Sequence, residues 1–394
     1  MFVNITGNFE TEKGLTIYLQ GAIDSVTAPE AEEKIMALRK KYPEGNVILD
    51  AEELRYVSSS GLRVFLKLCK QEKGLKMIHT SRDVYDVLEM TGFVDLMEVH
   101  RALRNVDVEG CEVLGVGGHR KVVRLNADTI VKLYHPGVTQ EEVEREQEYA
   151  KKAFVKGIPT AIPFDVVKCG VQYGLVFELV DSDTLSNHLN KYPEQLEENA
   201  VKYAAMLKEL HSIQVSEGEM DSTRVLYRER LEAMRQFMTK EEVDMLQKIN
   251  DAIPDGNTVV HGDFHPRNVM LHGTELVLID MADLTVGHPL YDLGSMGVTH
   301  HVTRDARIEN ITNMKASEVR KLWRLFLENY LETTDENVIG LAMKKASVVA
   351  MMKIASTVAF SPEAKRPESI ELLVAMVRKN LLENAEALMK LLPI

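Results

Sequence analysis

Residues 258–294, TVVHGDFHPRNVMLHGTELVLIDMADLTVGHPLYDLG, constrain this chain more than any other stretch. His261, Asp263 and Asn268 stand in HxDxxxxN spacing between the apolar pair Val259-Val260 and the strand-like Val269-Met270-Leu271. Twelve residues after Asn268, Asp280 closes the apolar run Leu276–Ile279. The pattern predicts two carboxylates and a carboxamide on adjacent loops. Phosphoryl transfer needs little covalent help from protein. It needs a carboxylate to orient the acceptor hydroxyl and oxygen ligands to hold Mg²⁺ across the phosphates. Mg²⁺ prefers hard oxygen ligands, and all three side chains offer them.

HGDFHPRN followed by IDMAD resembles the catalytic loop and metal-binding loop of the aminoglycoside phosphotransferase/choline kinase superfamily, small-molecule relatives of the protein kinases. The resemblance implies ATP as phosphoryl donor, Asp263 as the catalytic aspartate, and Asn268 and Asp280 as Mg²⁺ ligands. It also implies that His261 braces the loop and that Asp292, in YDLG, supports the fold. Upstream, Lys132 in IVKLY matches the lysine that meets the nucleotide phosphates, and Glu146 in VEREQEY matches its carboxylate partner. Glu144 and Glu142 compete with Glu146 for that role.

Gly115-Val116-Gly117-Gly118 lies between two predicted strands, where family members place a loop over the phosphates. Glycine permits close backbone approach. The third glycine of GxGxxG is missing, since Lys121 and Val122 follow. His119, Arg120 and Lys121 either add positive charge near the phosphates or face water. The run Gly174–Val180 resembles the strand leading to the interlobe hinge, which implies adenine bonded to backbone groups of Glu178 and Val180. His211, in LKELHS, is expected to be a packed structural histidine.

Ahead of these motifs, residues 1–103 alternate strand-like and helix-like segments. Residues 14–20, 46–50 and 75–80 read as strands. One helix starts near Thr27-Ala28-Pro29-Glu30 with capping-box spacing, and another follows Ser60 with Leu62, Phe65, Leu66 and Cys69 on one face. The stretches 19–24, 47–62 and 74–93 resemble the STAS domain of bacterial anti-sigma-factor antagonists. In that family the segment before the helix commonly reads Asp-Ser-Ser-Gly. Here it is Ser58-Ser59-Ser60-Gly61, with Ser59 aligned to the phosphorylated serine and Ser58 replacing the aspartate. A phosphate there is favoured by free backbone N–H groups and the helix dipole; the alternative is that Ser59 or Ser60 is simply an N-cap.

The fold expected is therefore an α/β STAS domain over 1–103, a linker over 104–110, and an α+β bilobal protein-kinase-like unit. Its β-rich small lobe spans 111–180 and its helical large lobe 181–394. A length of 394 residues accommodates such domains. The net charge of −13 disfavours nucleic acid or an anionic membrane as partner. The most membrane-like stretch, 338–360, carries Lys344, Lys345 and Lys353, and reads as a buried helix. Cys69, Cys111 and Cys169 form no CxxC pair, and no signal peptide is read, so a reducing, cytoplasmic setting is expected.

These readings converge on an ATP-dependent kinase for a small-molecule hydroxyl, with a STAS domain that regulates it or docks a protein partner. The alternative is a signalling protein whose kinase-like unit phosphorylates a protein hydroxyl, Ser59 included, or senses nucleotide and relays that state to a STAS partner. Intact Lys132, Asp263, Asn268 and Asp280 argue against a dead kinase but do not separate the two acceptors. Residues 296–394 hold no decisive acceptor pattern. Trp323, Phe326 and Tyr330, spaced by three and four, read as a packing stripe.

Overall fold

The computed structural model describes residues 2–11, 14–117, 120–216, 218–301, 305–358 and 367–393. The chain forms two compact units, residues 1–107 with 167–170, and residues 108–166 with 171–394.

The first unit is built on a five-stranded sheet whose strands Val3–Glu10, Gly14–Ile23, Val47–Val57, Lys76–Thr80 and Glu98–Arg101 lie in chain order. The first pair is antiparallel and the rest are parallel. Parallel strands need crossovers, and the helices Ala28–Lys41, Ser59–Gln71 and Arg82–Met90 provide three of them. Leu15, Ile17, Ile35, Leu49, Phe65 and Met77 are fully buried between the layers. The outer strands Val3–Glu10 and Glu98–Arg101 escaped the sequence reading. Arg104–Asn105, read as linker, forms a short strand paired with Val167 and Lys168.

Two local expectations change. Thr27 makes no side-chain cap; its hydroxyl donates to the Ala22 carbonyl at 2.7 Å. The cap of Ser59–Gln71 is Ser58, whose Oγ accepts from the Ser60 amide at 3.2 Å, rather than Ser59 or Ser60. Ser59 itself is exposed at the first turn.

In the second unit, the small lobe is a sheet in which Gln172–Glu178, Thr129–Tyr134, Arg120–Arg124 and Val113–Gly117 are successive neighbours. The helix Gln140–Val155 packs beside it, its first turn closed by a capping box between Thr139 and Glu142. The large lobe is helical, with Leu196–Ser212, Leu290–His301, Ala316–Leu331 and Glu336–Val358 enclosing the loop after Thr258–Val260. Trp323, Phe326 and Tyr330 do form a packing stripe, with ring centroids 5.8 and 5.6 Å apart in succession. No helix among the described residues is long and apolar enough to cross a membrane.

Candidate active site

Lys132 lies mid-strand, facing Leu175 on one neighbour and Val122 on the other. Its ammonium donates to Glu146 Oε1 at 2.5 Å and to Asp280 Oδ1 at 2.8 Å. A buried ammonium is stable only when paired and hydrogen-bonded, and two carboxylates satisfy it. Glu146 has a second partner, the Tyr134 hydroxyl, which donates to Oε2 at 2.6 Å. Burial and then the Glu146 charge push that phenol well above its ordinary value, so it stays a donor. Of the two competitors, Glu142 caps the helix and Glu144 bonds Gln140 at 2.8 Å.

Asp280 sits in the left-handed region, with φ 66. Aspartate tolerates that conformation better than most residues, and the turn ends the strand Glu275–Leu278 with the carboxylate directed back to Lys132. Arg120 Nη1 donates to the same Oδ1 at 2.5 Å. Burial works to raise this carboxyl, but the Lys132 and Arg120 charges outweigh it and hold the group below its ordinary value.

The loop carrying Asp263 is braced from below. Asp292 is fully buried; its Oδ2 accepts from the His261 amide and its Oδ1 from the Gly262 amide, both at 2.8 Å. His211 Nε2 lies 3.0 Å from Oδ2, and His211 Nδ1 lies 2.7 Å from the Tyr330 hydroxyl. The His261 ring reaches sideways, with Nε2 3.1 Å from the Ile279 carbonyl and Nδ1 accepting from the Asp263 amide at 3.2 Å. Gly262 has φ +80, and a Cβ there would meet the Asp283 carbonyl oxygen at 2.4 Å, so the turn needs glycine.

Asp263 itself is held at both oxygens. Lys353 donates to Oδ1 at 2.6 Å, Asn268 Nδ2 donates to Oδ2 at 3.1 Å, and His265 Nε2 lies 3.3 Å from Oδ2. Burial would raise its carboxyl; Lys353 and His265 overcome this and keep it well below the usual carboxylate range. Asn268 also donates from Nδ2 to the Asp263 carbonyl at 2.9 Å, which turns its amide oxygen away from both bonds.

These groups open on two cavities. One, of about 820 Å³, is lined by Lys132, Glu146, Asp263, Asn268, Asp280 and Arg230, among others. The other, of about 410 Å³, has an apolar wall of Ile130, Phe177, Met270 and Ile279, with Glu178 and Val180 at its edge. Gly115, Val122, Lys132, Asn268 and Asp280 line both. Gly117 ends its strand, and Gly118 and His119 lie outside the described residues. Lys353 and His265 went unassigned in the sequence. His265 sits inside the motif, but Lys353 comes from a helix 90 residues away, where only a charge in an apolar run marked it.

Residues 110–318 match the family of phosphotransferase enzymes. The chain belongs to this family. The phosphotransferase also carries a STAS domain, matched over residues 5–106. There it is 35% identical over 85 residues to a Bordetella bronchiseptica protein named as the anti-sigma factor antagonist BtrV, an alignment covering 21% of this chain and 72% of that protein. Among solved structures, the phosphotransferase is similar to APH(2'')-IIa in its streptomycin–ATP complex, at 15% identity and a TM-score of 0.47 over 76% of this chain and 96% of that one. It is likewise similar to a choline/ethanolamine kinase family protein from Mesorhizobium loti, at 12% identity and a TM-score of 0.48 over 73% and 93% of the two chains. The phosphotransferase thus joins a STAS domain to a catalytic-family unit made of a β-sheet lobe and a helical lobe.

Proposed function

We propose that the second unit transfers the γ-phosphoryl group of ATP to the hydroxyl of a small molecule. The observation that supports this reading is the convergence of Lys132, Glu146, Asp280, Asn268 and Asp263 on the wall of one cavity. Adenine would enter the smaller, apolar cavity. There the Glu178 amide is taken by the Ile162 carbonyl and the Val180 carbonyl by the Ser182 amide, so base recognition would fall to the Glu178 carbonyl and the Val180 amide. Lys132, fixed by Glu146, would meet the phosphates as they pass from the smaller cavity into the larger, beneath Gly115 and Gly117.

The oxygen donors suit Mg²⁺. Asp280 is an ionised carboxylate and Asn268 keeps its amide oxygen outside its own hydrogen bonds, both hard ligands. When bound there, Mg²⁺ supplies positive charge across the phosphate oxygens. Asp263, ionised and pinned, would accept a hydrogen bond from the acceptor hydroxyl and line its oxygen up with phosphorus. An oriented anion suffices, because the transition state is loose and demands positioning more than strong base chemistry. His261 and Asp292 would hold the loop that presents it.

For the STAS domain we propose a protein partner, with Ser59 as the candidate phosphosite at the N-terminus of Ser59–Gln71. The cytoplasm, which supplies ATP and keeps thiols reduced, is the compartment that suits both units. The test is ATP consumption by the full chain with Mg-ATP and a fractionated metabolite extract, beside Asp263→Asn. The expected result is acceptor-dependent turnover that falls by about 10²–10⁴-fold in the variant. Turnover that survives the substitution would overturn the assignment.

A further inference from the structure

Lys353 lies in the helix Glu336–Val358, beyond residues 110–318 that match the phosphotransferase family. Its neighbours Met351, Met352 and Ala355 are buried, and the helix around it is apolar. An ammonium in such a place carries a large desolvation cost unless its partners are well placed. A methionine of similar length would fill the same space without that cost. The lysine therefore needs a reason.

Its partners provide one. Lys353 Nζ donates to Asp263 Oδ1 at 2.6 Å, to the Gly262 carbonyl at 2.6 Å and to Ser295 Oγ at 3.0 Å. Ser295 in turn donates to the same Gly262 carbonyl at 2.9 Å. Lys353 is absent from the cavity wall that Asp263 lines, and its side chain is 12% exposed against 35% for Asp263. The ammonium thus grips the carboxylate from behind. Oδ2 is left on the side shared with Asn268 and His265.

Resting on the phosphotransfer reading above, we infer that Lys353 is a positioning residue that fixes the rotation of the Asp263 carboxylate toward the acceptor. Asn268 alone cannot do this, because its Nδ2 already divides between the Asp263 carbonyl and Oδ2. With the lysine removed, Oδ1 loses its charged partner, and the carboxylate, held only at Oδ2 by Asn268 and His265, can turn about χ2. Misplacing a reacting group by about 1 Å costs roughly 100-fold in rate.

The test compares Lys353→Met, Lys353→Arg, Asp263→Asn and the Lys353→Met/Asp263→Asn double variant in the full chain, with Lys344→Met as an exposed control on the same helix. Mg-ATP hydrolysis, with water as acceptor, is the turnover probe, and a crystal structure of Lys353→Met reports the carboxylate directly. Lys353→Met is expected to lower kcat by about 10- to 100-fold with KM for Mg-ATP within about threefold. Lys353→Arg should recover most of the rate, and the double variant should be no slower than Asp263→Asn, because both changes act through one group. The crystal structure should show the Asp263 carboxylate rotated.

An unmoved carboxylate in that structure would overturn the inference whatever the turnover. So would wild-type kcat in Lys353→Met, or a loss of rate that tracks a loss of thermal stability and that arginine does not repair. If Asp263→Asn keeps full turnover, the phosphotransfer reading itself fails. If Asp263→Asn loses turnover and Lys353→Met does not, only the role of Lys353 fails.

Discussion

Asp292 holds two consecutive amides of one loop, His261 through Oδ2 and Gly262 through Oδ1, each at 2.8 Å. The residue after that pair is Asp263, so the direction in which Asp263 leaves the backbone is set by a carboxylate 29 positions further along the chain.

Removing Asp292 should therefore damage the fold and the site together. Asp292→Ala leaves two buried amides and a buried histidine without their acceptor, and an expected loss of about 3–5 kcal/mol follows. Urea unfolding of the full chain measures it. The pH dependence has a definite sign. Burial opposes ionisation of Asp292, but its bonds to His211 and the charges of His211 and His261 prevail, and its folded pKa lies below the ordinary value. The group thus stabilises the native state above about pH 4. That contribution is lost as the pH falls through the folded value. Acid should lower the unfolding midpoint of the wild type more steeply than that of Asp292→Asn.

Gly262→Ala tests the turn itself. A positive φ disfavours alanine by about 1–2 kcal/mol, and the Asp283 carbonyl stands 2.4 Å from the new Cβ. The expected outcome is a fall in thermal midpoint together with a loss of turnover. Unchanged values for both would mean that the loop relaxes without consequence.

Glu146→Gln should weaken nucleotide binding by about tenfold, because Lys132 loses the charge that orients it. Nucleotide-dependent thermal stabilisation reports this without an acceptor. Glu144→Gln, whose carboxylate accepts from Gln140 on the same helix rather than from Lys132, should bind ATP as the wild type does.

In the STAS domain, Ser58 and Ser59 should separate cleanly. Ser58→Ala removes an N-cap and costs about 1 kcal/mol. Ser59→Ala, on an exposed side chain, should stay within about 0.5 kcal/mol. Equal effects would mean that Ser59 shares the cap.

Much of this was legible in the sequence because the phosphotransferase motifs are local. His261, Asp263 and Asn268 lie within one loop, and Asp280 ends a strand whose apolar run announces it. Lys132 and Glu146 could be matched across 14 residues because a strand and a helix of fixed length separate them. The edge strand Val3–Glu10 was missed because Gly7 interrupts its inward apolar positions and only Val3 and Ile5 are buried, although its exposed positions alternate regularly. Thr27 looked like a cap because the spacing was right, but the Ala22 carbonyl claims its hydroxyl. Lys353 was out of reach for a different reason. Its helix meets the loop through tertiary packing, and no local pattern in a single sequence encodes that distance.

The bracing of Asp263 by Asp292, Asn268 and Lys353 comes wholly from groups of the chain itself, each already engaged by its own backbone or side-chain partners. The polar surroundings of this carboxylate are thus paid for during folding. Under the proposed function, a hydroxyl arriving there would have only to displace water, with no dipoles left to reorganise, and would meet a lower barrier for that reason.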